Sequence, residues 1–131
     1  MKLIIVRGLP GSGKSTFAQT FPFTVHLEAD MFFLNDVGEY KFDSQLLGRA
    51  HTWCQETTKI LLRSGNSVIV SNTFTTMKEI NPYLDIAKNI KGCTVEVYRT
   101  TKNYGSVHNV PKEAIQRMAD RFVDYPGEVF I

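Results

Sequence analysis

The chain has 131 residues, 43% of them hydrophobic and 21% charged, enough for one domain with a buried core. That balance excludes a disordered, collagen-like or low-complexity chain. A net charge of +2 is too small to argue for nucleic acid or an anionic membrane by charge alone.

Lys2 to Arg7 (KLIIVR) reads as a strand buried on both faces of a parallel sheet. A glycine-rich turn follows over Gly8 to Gly13, then a helix from about Lys14 to Thr20 that Pro22 stops. Thr24 to Glu28 is a second strand, and Asp30 to Phe42 an aromatic-rich connection. Asp43 to Arg63 is the longest expected helix, capped by Asp43 or Ser44. Its apolar stripe is Leu46, Leu47, Ala50, Trp53, Cys54, Thr57, Ile60 and Leu61. Ser67 to Val70 is a third strand. Thr76 to Asn89 is a helix whose regular part should begin near Asn81, because Pro82 belongs in a first turn. Lys91 to Tyr98 holds a fourth strand, and Thr101 to Asn109 is a polar loop. Pro111 opens a helix to about Val123, and Pro126 to Ile131 is a short strand or a frayed tail.

Strands and helices thus alternate. That order predicts an α/β fold, a three-layer sandwich with a mainly parallel sheet of four or five strands and right-handed crossovers. No linker or repeat divides residues 1–131, so one domain is expected. Cys54 and Cys93 form no C-x-x-C pair and have no histidine at zinc spacing, which argues against a disulfide framework and structural zinc. Leu3 to Val6 is too short for a membrane span or a signal peptide, so a cytoplasmic protein without a membrane partner is expected.

Gly8-Leu9-Pro10-Gly11-Ser12-Gly13-Lys14-Ser15 fits G-x-x-x-x-G-K-[ST] without a mismatch, after a strand and before a helix. Glycines let backbone N–H groups converge on phosphate oxygens. Lys14 adds a positive charge for the β- and γ-phosphates, Ser15 offers Mg²⁺ a hard oxygen, and the Thr16 N–H is placed for the α-phosphate. ATP and Mg²⁺ are therefore the expected ligands. The bland alternative is a glycine-rich turn that binds nothing. A dinucleotide fingerprint fails, because Thr16 stands where a third glycine is needed.

Asp30 and Glu28 lie at the end of the second strand, where ligands of open α/β sheets bind. As i and i+2 residues of a strand they would project together, and Asp30 is the candidate general base. A helix cap or a solvated acid is the alternative for either. The third strand runs into Ser71-Asn72-Thr73 without the acid that P-loop proteins often carry there. Mg²⁺ would then rest on Ser15, phosphate oxygens and water, with Asp30 acting through a water. Asn72 and Thr73 are candidates for hydrogen bonds to substrate, or simply a polar strand end. Lys102 is the candidate cation for the transferring phosphoryl group, and Arg117 and Arg121, four apart on a helix, for the nucleotide. Each of these cations, taken alone, also suits a solvated basic face. The stretches Met31-Phe32-Phe33 and Tyr40-Lys41-Phe42 can line an acceptor pocket or cover the sheet, Trp53 is core, and His108 lies in a candidate lid at about 100–109.

With GLPGSGKST at 8–16, EADMFF at 28–33, GEYKF at 38–42, VIVSNT at 68–73 and VHNVPKEAIQRM at 107–118, the chain resembles small P-loop kinases. The group is that of the bacteriophage polynucleotide 5′-hydroxyl kinase and the zeta toxins, and within it the short AAA-type ATP-binding proteins of phages and bacteria. The resemblance implies an adenylate- or polynucleotide-kinase-like fold, ATP and Mg²⁺ served by Lys14 and Ser15, and Asp30 as base on an acceptor hydroxyl. It implies an acceptor that is a nucleic acid, a nucleoside or a small metabolite. Phe33 stands where the polynucleotide kinases carry an arginine, and the lid is shorter. The alternative is a catalytically reduced nucleotide-binding regulator that acts through a protein partner.

Overall fold

β1 (Lys2–Arg7) is the central strand of a five-stranded sheet in the order β2-β3-β1-β4-β5. The computed structural model of the chain describes residues 1–105 and 110–131. Every strand pair is parallel: β1 with β3 (Ser67–Ser71) and β4 (Thr94–Arg99), β2 (Thr24–Leu27) with β3, and β4 with β5 (Val129–Phe130). The tail thus ends in a paired strand. β1 is buried from Leu3 onward, because helices cover both faces.

Side chains alternate across the sheet and divide the core in two. Leu3, Ile5, Val68 and Val70 pack against α2 (Leu47–Arg63) and α3 (Met77–Lys88). Ile4, Val6 and Ile69 pack against Ala18 of the short α1 (Lys14–Ala18), with Phe17, Phe21 and Tyr98 as cover. α4 (Lys112–Arg121) lies between β4 and β5 in the chain.

Several boundaries differ from the sequence reading. α1 stops at Ala18, two residues early, and β2 ends at Leu27. Glu28 leads into a 3-10 turn, Ala29–Phe33, so Asp30 is not a strand residue. α2 begins at Leu47, after a 3-10 turn over Ser44–Leu46 that Asp43 caps by accepting from the Gln45 N–H at 3.0 Å. Its buried line is Ala50, Cys54, Thr58 and Leu62, while Leu47 and Ile60 face outward. α3 starts four residues before Asn81. The Glu79 carboxylate accepts from the Thr76 N–H at 3.0 Å and closes a capping box there. Pro82 is tolerated inside the helix because Lys78, whose carbonyl it leaves without a donor, faces water. α4 ends at Arg121.

Candidate active site

The chain passes from β1 to β2 over the intervening β3, so the sheet changes direction at the carboxyl end of β1. Such a switch point opens a crevice outside the strand ends, and Gly8 to Gly13 wraps at this place. The loop is fixed from both neighbouring strands. Gly8 N–H donates to the Thr73 carbonyl at 3.2 Å, and the Ser12 and Thr100 hydroxyls meet at 2.5 Å. Gly8 must be glycine, because a Cβ there would lie 2.1 Å from Thr100 Oγ1 and 2.5 Å from Ser12 Oγ. Gly11, at φ 76°, takes a left-handed turn, and its carbonyl accepts from the Tyr104 N–H at 2.7 Å. The start of the expected lid therefore rests on the phosphate loop. His108 and positions 106–109 lie outside the described residues.

Lys14 arches back over the loop and donates from Nζ to the Leu9 carbonyl at 2.9 Å. Burial pushes its pKa down to about 8, against the upward pull of Glu28 and Asp30. Lys14 thus shares one electrostatic neighbourhood with both acids. Asp30 accepts from the Tyr40 hydroxyl at 3.3 Å. Burial, and then Asp30, push the Tyr40 phenol up to about 12. Tyr40 stacks parallel to Phe42, with ring centres 6.4 Å apart, and both rings pack edge-on against Phe33. The aromatic connection therefore covers the core and also holds a phenol against Asp30.

Glu28 is the centre of a hydrogen-bond cluster whose members the sequence left unconnected. Its Oε1 accepts from the Ser71 hydroxyl at 2.8 Å and from the Ser15 hydroxyl, and lies 3.0 Å from His26 Nε2. Burial would raise this carboxyl's pKa, but His26, Ser15 and Ser71 outweigh it and hold the group near 2. Alternation along β2 and β3 puts His26, Glu28 and Ser71 on the α1 face, where Ser15 is.

Asn72 points to the opposite face. Its Oδ1 accepts from the Ala29 N–H at 2.9 Å, so it pins the turn that carries Asp30. Thr73 is half-buried and engages Gly8 through its carbonyl. Lys102 is exposed, 5.9 Å from the Tyr104 ring centre. Arg121 donates from Nε to Thr75 Oγ1 at 3.1 Å, and Arg117 is exposed on α4. Lys14, Ser15, Glu28, Asp30 and Asn72 are thus gathered at the carboxyl ends of β1, β2 and β3, whereas Lys102 lies on the segment after β4 and Arg117 and Arg121 lie on α4.

A second charged network braces the edge from the other side. Arg7, fully buried, donates to the Phe74 carbonyl from Nε at 3.0 Å and Nη2 at 2.7 Å, and pairs with Glu128 at 2.9 Å. Arg99 contacts Asp124 at 2.6 Å and Glu128 at 3.4 Å, and both guanidiniums lie 4.4 Å from the Phe122 ring centre. The only local hint was a charge ending an otherwise apolar strand.

The donor set fits a nucleotide with Mg²⁺: a turn of backbone N–H groups, a partly buried lysine, and the hard oxygens of Ser15 and Glu28. Among the described residues no group of three acidic, His or Cys side chains could hold a metal by itself. None of their helices is long and apolar enough to cross a membrane.

Human (Homo sapiens) NEDD4-binding protein 2 is 34% identical over 142 residues, which cover 95% of this chain and 8% of that protein. A gluconokinase from Sinorhizobium meliloti 1021 superposes with a TM-score of 0.65 at 16% identity, over 99% of this chain and 81% of that one. A chain of the Pnkp1/Rnl/Hen1 RNA repair complex superposes with a TM-score of 0.58 at 22% identity, over 96% of this chain and 40% of that one. At these identities both structures share the fold. The chain spans only a small part of the human relative. The pattern of the AAA domain family matches residues 3–124, and the phosphate loop lies inside that match. The chain belongs to the AAA domain family and has the α/β fold of the P-loop kinases.

Proposed function

We propose that the protein is a Mg²⁺-dependent kinase that transfers the γ-phosphoryl group of ATP to a hydroxyl. The observation that carries this reading is the phosphate loop wrapped at the switch point, with Lys14 arched over it and Asp30 on the turn that follows β2. A phosphate-binding cation and a carboxylate able to take a proton share one crevice there. MgATP supplies the phosphoryl group and neutralises charge that develops during transfer. Backbone N–H groups of Gly11 and of Gly13 to Thr16 hold the phosphates, and Lys14 stabilises the β- and γ-oxygens. Asp30 accepts the acceptor hydroxyl's proton as its oxygen forms the new bond to phosphorus and ADP leaves. Tyr40 orients Asp30, and Asn72 positions it by holding the Ala29 N–H. Thr73 faces the acceptor, and Lys102, Arg117 and Arg121 are the cations for the phosphates. Nucleic acids, nucleosides and small metabolites are the acceptor classes, and the presence of this fold in an RNA repair complex supports the first.

The test is γ-labelled ATP with Mg²⁺ and a panel of 5′-hydroxyl oligonucleotides, nucleosides and sugars. Label should reach an acceptor, vanish in Lys14→Ala, and fall by about 10²-fold or more in Asp30→Asn with ATP binding kept. A fully active Asp30→Asn would overturn the base assignment. ATP binding that depends on Lys14, with no label on any acceptor, would favour a regulator that works through a protein partner.

A further inference from the structure

In P-loop NTPases the P-loop Ser/Thr and a core-strand carboxylate hold Mg²⁺ together. Here β3 ends in Ser71 and offers none. The neighbouring strand does. Leu27 pairs with Val70, so Glu28 stands beside Ser71 in the next step of the same register. Its Oε1 takes the Ser71 hydroxyl at 2.8 Å and also the Ser15 hydroxyl. We propose that Glu28 supplies from β2 the carboxylate that β3 lacks, and with Ser15 forms the protein side of a divalent-cation site for the bound nucleotide. This rests on the nucleotide reading above.

The chemistry follows from the direction of the hydrogen bond. Ser15 gives its proton to Glu28, which leaves its oxygen lone pairs for a cation. A hydroxyl that donates to a carboxylate is a more electron-rich ligand than one that donates to water. Ser71 and His26 crowd onto the same Oε1 and fix the side chain, and Oε2 takes none of these contacts. That second oxygen suits a water of the cation, because Mg²⁺ keeps several waters and often reaches its carboxylates through them. Two protein oxygens are too few for a cage, so the cation should bind with the phosphates and not before them. Glu28 reaches the cation through that water and, from Oε1, positions the Ser15 hydroxyl beside it.

The experiment measures the ATP dissociation constant with Mg²⁺ and with EDTA, by calorimetry, in the full chain. The wild type should bind at least ~10-fold more tightly with Mg²⁺. Glu28→Gln should bring the two constants within about twofold. The transposed double variant Glu28→Ser/Ser71→Asp should regain the Mg²⁺ preference that Glu28→Ser alone loses. A structural role for Glu28 would not be rescued by moving the charge to β3. Retention of the full preference in Glu28→Gln would overturn the proposal, as would a folded transposed variant that binds ATP in EDTA but ignores Mg²⁺. A wild type that binds no ATP under either condition would overturn the nucleotide reading itself, and this proposal with it.

Discussion

Arg7 holds the carbonyl of Phe74 with two N–H groups, and Phe74 is one of two non-glycine residues with positive φ among those described, at 47°. A left-handed bulky residue costs about 1–3 kcal/mol unless its surroundings enforce it. Here a buried guanidinium does so, and the ring packs edge-on against Tyr83 at 5.3 Å. The kink redirects the chain from the strand end toward the capping box of α3. Arg7→Met should destabilise the fold by about 3 kcal/mol or more, since it strands the Phe74 carbonyl and leaves the buried Glu128 carboxylate with the longer Arg99 contact as its ion pair. Urea denaturation checks this. Adding Glu128→Gln should recover part of the loss.

Gly8→Ala should be severe for a different reason. The new methyl would meet the Thr100 and Ser12 hydroxyl oxygens, which already touch each other. We expect a loss of about 2 kcal/mol or more, together with the loss of ATP binding. Combining it with Thr100→Ala should return part of the stability, which denaturation of the three variants would show.

The Tyr40–Asp30 contact can be read by titration. With its pKa raised to about 12, Tyr40 should stay neutral well above the pH at which an ordinary tyrosine ionises. The folded-state value exceeds the unfolded one. Burial of the neutral phenol, with Asp30 beside it, therefore contributes its full stability below about pH 10 and loses it as pH rises through about 12. In Asp30→Asn the midpoint should move down toward 10, by NMR of ring-labelled tyrosine. An unmoved midpoint would show that burial alone holds the phenol.

Phe23 is 99% exposed at φ 59° and makes no use of its ring. Phe23→Asn should therefore stabilise the fold by roughly 0.5–1 kcal/mol, because asparagine tolerates the left-handed region. ATP binding should not change. A melting curve compared with wild type decides it.

The phosphate loop and the parallel sheet were legible because both are local: a motif of eight residues, and runs of apolar residues between helical patterns. Contacts between residues far apart in the chain were not. Glu28 and Ser71 read separately as an acid of uncertain role and a missing acid. Only the register of β2 against β3 shows them to be neighbours. Asp30 was singled out as a candidate base, but the i, i+2 reasoning that linked it to Glu28 does not apply to a 3-10 turn. Arg7 resembled any charge at the end of a strand, and its partner Glu128 sat in a stretch without periodicity. The early start of α3 was written in Thr76 and Glu79, and the proline six residues into the helix outweighed it in the reading.

The loop that would take a nucleotide is completed from across the chain: Ser12 meets Thr100 at a separation of 88 residues, and Arg7 meets Glu128 at 121. Closures that long are slow and come late in folding. The crevice therefore cannot form on a nascent amino-terminal half, however complete its motif. A ligand that binds only the finished loop favours the whole sheet over its partly folded rivals. Nucleotide would then act on this chain as a folding agent as well as a substrate.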